Sequence, residues 1–220
     1  MRMDDDNSLY LGLPSMIGHN KSAVFRSLKD KMRSCIQGWD GKWFSVAGKK
    51  VLIKMVLQSI PTYIMSVFLL PNKVCRDIEG LISTYWWKSL RQSKGIYWRA
   101  WERLSTHKFN GGMGFKNITD FNLTMVGTQG WRLVQFENSL ISRFFKEKYY
   151  PHGNFLSAQL GRNPSYVWRS IREAQTLLKR GARWRIGDGC DIHVLEQHWL
   201  IDSRNPFITT QNVVLQGGTN

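Results

Sequence analysis

The sequence predicts a mainly α-helical protein, and three observations support this prediction. Apolar residues recur at helical spacing over several long segments, whereas strand-like patterns are confined to two short ones. The 220 residues are enough to bury a sizeable core. Hydrophobic residues make up 42% and charged residues 21% of the chain, an ordinary globular composition that argues against wholesale disorder.

The first predicted elements are a short strand and a helix. Residues 9–14 read as a strand that ends at Pro14, because proline cannot donate to a strand ladder. Ser22 can cap a helix that runs to about Gln37 with its apolar residues on one side. Gly38 and Asp40 then interrupt the helical pattern.

A second helix is predicted over residues 45–60, where Ser45 can form the cap and Pro61 must end the helix. Its apolar residues cover nearly the whole circumference and leave one polar stripe, formed by Lys50, Lys54 and Gln58. A helix that is apolar almost all round is normally buried among others. We therefore expect this helix at the heart of a helical domain.

The remaining pattern is again helical until the chain nears its end. Further helices are predicted at about 73–87, 120–134, 139–149 and 165–181. Residues 183–194 read as a β-hairpin, because Gly187-Asp188-Gly189 supplies an Asp-Gly-type turn between two short alternating segments, Arg183–Ile186 and Asp191–Val194.

The charge of the chain is strongly basic. Lys and Arg number 31 against 16 Asp and Glu, a formal net charge of +15. Most of the excess lies between residues 21 and 108, where 17 Lys and Arg face five Asp and Glu. A protein this basic favours polyanionic partners, nucleic acid first, and argues against a cationic substrate.

The sequence also predicts the compartment. Three widely spaced cysteines exclude a disulfide framework and fit a reducing environment. The acidic start is not followed by an apolar run, so it is not a secretory signal. The apolar stretch 51–70 is broken by Lys54, Gln58 and Pro61, as a membrane span would not be. We expect an intracellular protein of the nucleus or cytoplasm that is not secreted and does not bind a membrane.

No catalytic or metal-binding pattern stands out in the sequence. Asp4-Asp5-Asp6 resembles a paired-carboxylate site only in composition, because no apolar strand precedes it. Cys190, His193 and His198 have spacing that could hold zinc, but a fourth ligand is missing nearby. We expect no metal, no cofactor and no small-molecule substrate for this chain.

Basic residues on predicted helices are candidates for nucleic-acid binding, and a plain solvated face is the open alternative. Arg26, Lys29 and Arg33 share one side of the first helix, and Lys50 and Lys54 form the polar stripe of the second. The full candidate set is Arg26, Lys29, Arg33, Lys42, Lys49, Lys50 and Lys54.

The segment 86–103 interleaves cations with aromatic residues and leaves two interpretations open. Trp86, Trp87, Trp98 and Trp101 can stack on bases between Lys88, Arg99 and Arg103. The same tryptophans can instead anchor the core, with the cations facing solvent.

A series of short motifs follows in order over about residues 9–194. The series includes Tyr10-Leu11-Gly12-Leu13-Pro14-Ser15, Trp43-Phe44-Ser45-Val46-Ala47-Gly48-Lys49, Phe68-Leu69-Leu70-Pro71, Gly111-Gly112-Met113-Gly114-Phe115, Phe121-Asn122-Leu123, Asn163-Pro164-Ser165-Tyr166-Val167-Trp168 and Trp184-Arg185-Ile186-Gly187-Asp188-Gly189. In this order the motifs resemble those of plant LINE-type (non-LTR) retrotransposon reverse transcriptases. Sequences of this kind often carry the name reverse transcriptase or ribonuclease H-like protein.

The resemblance implies an organisation along the chain. Residues 1–20 would end the palm and contain the primer-grip residues Tyr10, Leu11 and Gly12. Residues 21–90 would form a helical thumb-like domain that clasps an RNA/DNA duplex. Residues 91–180 would form a helical linker, and 181–220 the hairpin and a truncated tail.

The resemblance also implies what this chain lacks. The family's aromatic-Ala-Asp-Asp catalytic strand, which holds Mg²⁺, would precede Tyr10, and the ribonuclease H domain would follow the last residues. We therefore expect a non-catalytic fragment of an RNA-directed DNA polymerase that binds nucleic acid. The alternatives are an independent basic helical nucleic-acid-binding protein and a decayed, non-functional retroelement product.

Overall fold

The structure is a computed structural model that describes residues 9–10, 13–14, 21–40, 42, 44–88 and 96–182. The chain divides into two compact units, 1–175 and 176–220. The described part is mainly helical, as the sequence predicts. The predicted continuous strand over 9–14 is not supported: only two-residue strands, β1 (Leu9–Tyr10) and β2 (Leu13–Pro14), pair there in antiparallel register. The hairpin predicted at 183–194 lies outside the described residues.

The first helix, α1, spans Lys21–Gln37 and ends where predicted, but Ser22 lies within the helix and does not cap it. It buries Val24, Phe25, Leu28 and Met32 on the one side that packs against a later helix, α4 (Asn72–Trp87). Val24, Leu28 and Met32 are four residues apart and Phe25 precedes Leu28 by three, the spacing of an amphipathic helix. Helix α4 also matches its predicted range.

The predicted helix over 45–60 is present but is neither continuous nor buried all round. Helix α2 spans Val46–Leu52, and the Ser45 hydroxyl accepts a hydrogen bond from the Gly48 N–H at 3.1 Å, which caps it as expected. A π-helical turn, Ile53–Leu57, follows, in which the Gln58 N–H bonds to the Ile53 carbonyl at 2.9 Å.

Burial along this segment follows one side of it. Ile53 and Leu57 are fully buried where the turn packs on α4, whereas Val51 and Met55 are 58% and 71% exposed. The prediction of burial on nearly every side is therefore wrong, because neighbouring helices cover only one side. Gln58, which the sequence places on the polar stripe, is itself buried.

Short elements connect the long helices of the first unit. Helix α3 (Thr62–Met65) begins directly after Pro61, and α5 (Trp101–Ser105) is followed by a 3₁₀ turn over Lys108–Asn110. Gly111 and Gly114 have φ values of 76° and 65°, a left-handed conformation that favours glycine, and they carry the chain from this turn towards α6 (Ile118–Gln135).

The later helices also begin and end near their predicted bounds, but the single helix predicted over 165–181 is divided at Ala174 into two. Helix α7 spans Leu140–Tyr149 with Ser139 as its cap, and α8 spans Tyr166–Glu173 with Ser165 as its cap. Helix α9, Gln175–Gly181, begins at the last residue of the first unit and belongs mainly to the second. Among the described helices, none is both long and apolar enough to cross a membrane.

Two buried clusters hold the first unit together. The larger contains apolar residues of α1, the π-helical turn, α3, α4, α5 and the start of α6. The smaller is aromatic and surrounds Trp168, which is fully buried and stacks on Tyr149 with ring centroids 4.6 Å apart. The Trp168 indole N–H donates to the Leu160 carbonyl at 3.2 Å, so this buried polar atom is satisfied.

A buried asparagine joins α6 to the segment between α3 and α4. Asn122 is 1% exposed, and its Nδ2 donates to the Met65 and Phe68 carbonyls at 3.0 and 2.9 Å. Its Oδ1 accepts the Leu70 N–H at 2.6 Å. One side chain thus supplies hydrogen-bond partners to three main-chain groups of a segment that lacks regular secondary structure to pair them.

Candidate nucleic-acid interface

Two cations of the predicted α1 set are paired with carboxylates. Lys29 Nζ lies 2.9 Å from Asp77 Oδ2 and links α1 to α4, and its hydrogen bond lowers the pKa of Asp77. Arg33 lies 2.8 Å from Asp30 within the same helix. Their charges are therefore partly neutralised within the protein before any ligand arrives. Arg26 is exposed on α1.

The other predicted residues have different surroundings. Lys42 is exposed between α1 and α2, and Lys49 is half-buried with its ammonium donating to the Lys88 carbonyl. Burial lowers the pKa of Lys49, and the charge of Lys88 lowers it further. Of the proposed primer-grip residues, Tyr10 belongs to β1, whereas Leu11 and Gly12 lie outside the described residues.

Lys50 and Lys54 meet a third lysine that is distant in sequence. Burial lowers the pKa of Lys54, and the charges of Lys50 and Lys108 lower it further. Gly114 lies between Lys54 and Lys108, since a Cβ placed on it would be 3.3 Å from Lys54 Nζ and 3.6 Å from Lys108 Cγ. We call Lys50, Lys54 and Lys108 the lysine cluster.

The lysine cluster lacks a counter-charge within the described protein. Of the four ion pairs found among the described residues, none includes a lysine of the cluster. Like charges that converge without a carboxylate repel one another, and a bound anion relieves that repulsion. Lys54 also lies in the π-helical turn, a local irregularity that is frequent at functional sites.

Exposed aromatic rings lie in the segments next to these cations. Phe109 follows Lys108 directly, is 93% exposed and stacks on His107 with ring centroids 5.1 Å apart. Trp98 is 75% exposed, whereas Trp101 is buried and stacks on Phe115 with centroids 5.6 Å apart. The two interpretations of the aromatic-basic segment therefore apply to different residues: Trp101 anchors the core, and Trp98 faces solvent.

The sequence did not point to Lys108 as a partner of Lys50 and Lys54. More than fifty residues separate it from them, and only the fold of the glycine-rich turn brings it to Lys54. Within the described ranges, no group of three or more His, Cys, Asp or Glu side chains is placed to hold a metal ion. The zinc candidates Cys190, His193 and His198 lie outside those ranges.

Comparisons with known proteins identify two plant relatives. The "Uncharacterized mitochondrial protein AtMg00310" of Arabidopsis thaliana is 34% identical over 145 residues, which cover 66% of this chain and 94% of that protein. The "Putative ribonuclease H protein At1g65750" of the same plant is 28% identical over 201 residues, 86% of this chain but 31% of that protein. This chain thus spans less than a third of the second relative.

The family of this chain follows from the first of these two relatives. No family model matches the chain, and no solved structure matches it. Neither relative's name specifies a LINE-type reverse transcriptase. The first match, however, extends over almost the whole length of the relative at an identity that indicates common descent. The chain therefore belongs to the same family as the uncharacterized mitochondrial protein AtMg00310 of Arabidopsis thaliana.

Proposed function

We propose that this chain is a non-catalytic, nucleic-acid-binding part of a retrotransposon reverse transcriptase–ribonuclease H protein. The proposal is supported by the ordered motifs that resemble plant LINE-type enzymes, by the relative named as a ribonuclease H protein, and by the net charge of +15. The observation that carries it is the lysine cluster, in which three cations converge without a carboxylate among the described residues.

The proposed ligand is a template–primer duplex, bound without sequence preference. Lysine ammonium groups act as point charges towards phosphates and carry no donor pattern that would distinguish base pairs. Lys50 and Lys54 are four residues apart near the junction of α2 and the π-helical turn, and Lys108 comes from a separate segment. Cations from two segments suit contacts to neighbouring phosphates of one backbone.

The organisation implied by the family resemblance is part of the proposal. Residues 21–90 would act as the thumb, 91–180 as the linker, and 1–20 as the end of the primer-grip region. The packing of α1 against α4 and the Lys29–Asp77 ion pair between them are consistent with one helical body in the thumb segment. Catalysis with Mg²⁺ would belong to the polymerase part of a longer protein, inside the cell.

The test is the salt dependence of duplex binding. The triple variant Lys50→Gln, Lys54→Gln, Lys108→Gln removes the lysine cluster with residues of comparable helix propensity. On B-form duplex labelled with a fluorophore, its log K against log[salt] slope should be shallower than the wild-type slope by about 2.7, at about 0.9 per lost phosphate contact.

A charge-matched control separates the cluster from total charge. Lys31, Lys73 and Lys148 are exposed on α1, α4 and α7, and changing these three to Gln lowers the net charge equally. This control should keep the wild-type slope. An equal loss of slope in both triple variants, each with wild-type circular dichroism, would contradict a local binding site, and no binding by the wild type would favour a decayed product.

A further inference from the structure

A second feature of the first unit is a cleft that other residues of α2 help to line. This cleft of about 430 Å³ opens between the start of α2, the end of α4 and the segment that flanks α5. Its apolar wall includes Trp86, Trp87 and Met113. The volume falls in the range of about 300–1,000 Å³ that small-ligand sites occupy.

Three cations line the same cleft: Lys49, Lys88 and Arg99. Lys88 pairs with Asp40 at 2.8 Å, but Lys49 donates to a main-chain carbonyl and Arg99 donates to the Gly111 carbonyl at 3.1 Å. Among the described residues, therefore, only one of these three cations is paired with a carboxylate, that of Asp40. The wall is suited to a flat apolar group and the remaining charge to an anion.

The lining as a whole combines an apolar aromatic wall with cations. This combination matches one nucleotide, whose planar base can pack on the wall while its phosphate lies near the cations.

We propose that this cleft binds one unpaired nucleotide of a strand that leaves the duplex. The inference rests on the proposed function, because Lys49 of the cleft and Lys50 of the lysine cluster are consecutive on α2. A duplex held at the lysine cluster would thus have its single-stranded extension beside the cleft. The base packs against Trp86 and Trp87, and the phosphate lies near Lys49 and Arg99.

The experiment compares a blunt hairpin duplex with the same hairpin carrying a short single-stranded overhang, by competition in fluorescence anisotropy. Wild-type protein should prefer the overhang by about fivefold or more, the gain expected from stacking one base. An overhang of abasic nucleotides, which keeps the phosphates, should lose most of this preference. Equal affinity for blunt, overhang and abasic hairpins would overturn the proposal.

Two variants test the cleft itself. Val46→Trp fills it from an exposed position, 67% accessible in the lining, and keeps every charge. Lys49→Gln with Arg99→Gln removes two cations of the lining. Both variants should abolish the overhang preference. Val46→Trp, which touches none of the candidate cations, should also leave blunt-duplex binding within about twofold of wild type. The charge-matched reference for the double variant, Lys31→Gln with Arg143→Gln at exposed residues of other helices, should keep the overhang preference. A preference retained in both cleft variants, with wild-type circular dichroism, would also overturn the proposal.

Adenosine monophosphate and inorganic phosphate distinguish the possible sources of the ligand. Neither should suppress the overhang preference at submillimolar concentration if the nucleotide must be delivered by a bound strand. Suppression by adenosine monophosphate alone would overturn that assignment in favour of a free nucleotide. If the blunt duplex does not bind at all, the proposed function fails, and the cleft is then tested separately with a single-stranded oligonucleotide against its abasic counterpart.

Discussion

Removing the Asn122 side chain should be among the most damaging single changes in the first unit. Asn122→Ala removes both donor bonds, to the Met65 and Phe68 carbonyls, and the acceptor of the Leu70 N–H. These main-chain groups lie beside residues that are themselves buried, since Met65 and Leu70 are 0% and 3% exposed. Water therefore cannot replace the amide without opening the core.

The expected cost follows from the three lost bonds. Each hydrogen bond contributes about 1 kcal/mol net, and a buried group left without a partner costs about 1–3 kcal/mol. We expect Asn122→Ala to lower the free energy of unfolding by about 3–5 kcal/mol, a large fraction of the about 5–15 kcal/mol of a typical domain. Asn122→Asp should be worse at neutral pH, because a carboxylate cannot donate to the two carbonyls.

Urea unfolding followed by far-UV circular dichroism measures this cost. Asn117→Ala is the matched control, since Asn117 Oδ1 caps the same helix by accepting the Asp120 N–H at 3.0 Å. Loss of a cap of this kind costs about 1 kcal/mol. If Asn122→Ala destabilises the protein no more than Asn117→Ala does, the assignment of Asn122 as the link between α6 and the 65–70 segment is wrong.

Three further predictions concern the glycines, a half-buried carboxyl and catalysis. Gly112→Ala should lower the unfolding midpoint in urea strongly, because its Cβ would collide with the Thr106 carbonyl oxygen. Gly80→Ala, with open space in α4, should instead raise stability by about 0.5–1 kcal/mol, and similar midpoints would contradict this contrast. Burial raises the pKa of Glu79, whose carboxylate accepts the Ile118 N–H at 2.8 Å, so its contribution to stability is present below the unfolded pKa and is lost as pH rises through the folded pKa. The stability of Glu79→Gln relative to wild type should therefore increase from pH 4 to pH 7, and parallel stability–pH curves would refute it. The isolated chain should incorporate no dNTP in a primer-extension assay and cut no RNA/DNA hybrid, and activity above a heat-killed control would show a catalytic centre that the sequence does not reveal.

The sequence predicts the helices well where a helix has one apolar face and one polar face. Helices α1 and α4 show this pattern, and the caps Ser45, Ser139 and Ser165 are where short polar residues precede apolar runs. Periodicity fails in the segment 46–58, because it assumes 3.6 residues per turn and the chain departs from that spacing at the π-helical turn.

Long-range contacts are the part of the site that the sequence does not reveal. The burial of Asn122 and Gln58 depends on which main-chain segments cover them, and the approach of Lys108 to Lys54 depends on the glycine-rich turn. Lys29 and Arg33 look like free cations in the sequence, yet a carboxylate lies against each of them. Local pattern identifies charged faces, and only packing tells which charges remain uncompensated.

The π-helical turn allows the chain to lose one residue without disturbing the helices around it. Its bond from the Gln58 N–H to the Ile53 carbonyl spans five residues, one more than an α-helical bond. Deleting one residue from this turn, such as the 71%-exposed Met55, would restore α-helical spacing without changing which residues stand at either end. Homologous chains that differ by a single-residue gap between Lys50 and Gln58 can therefore keep the same core on both sides of it.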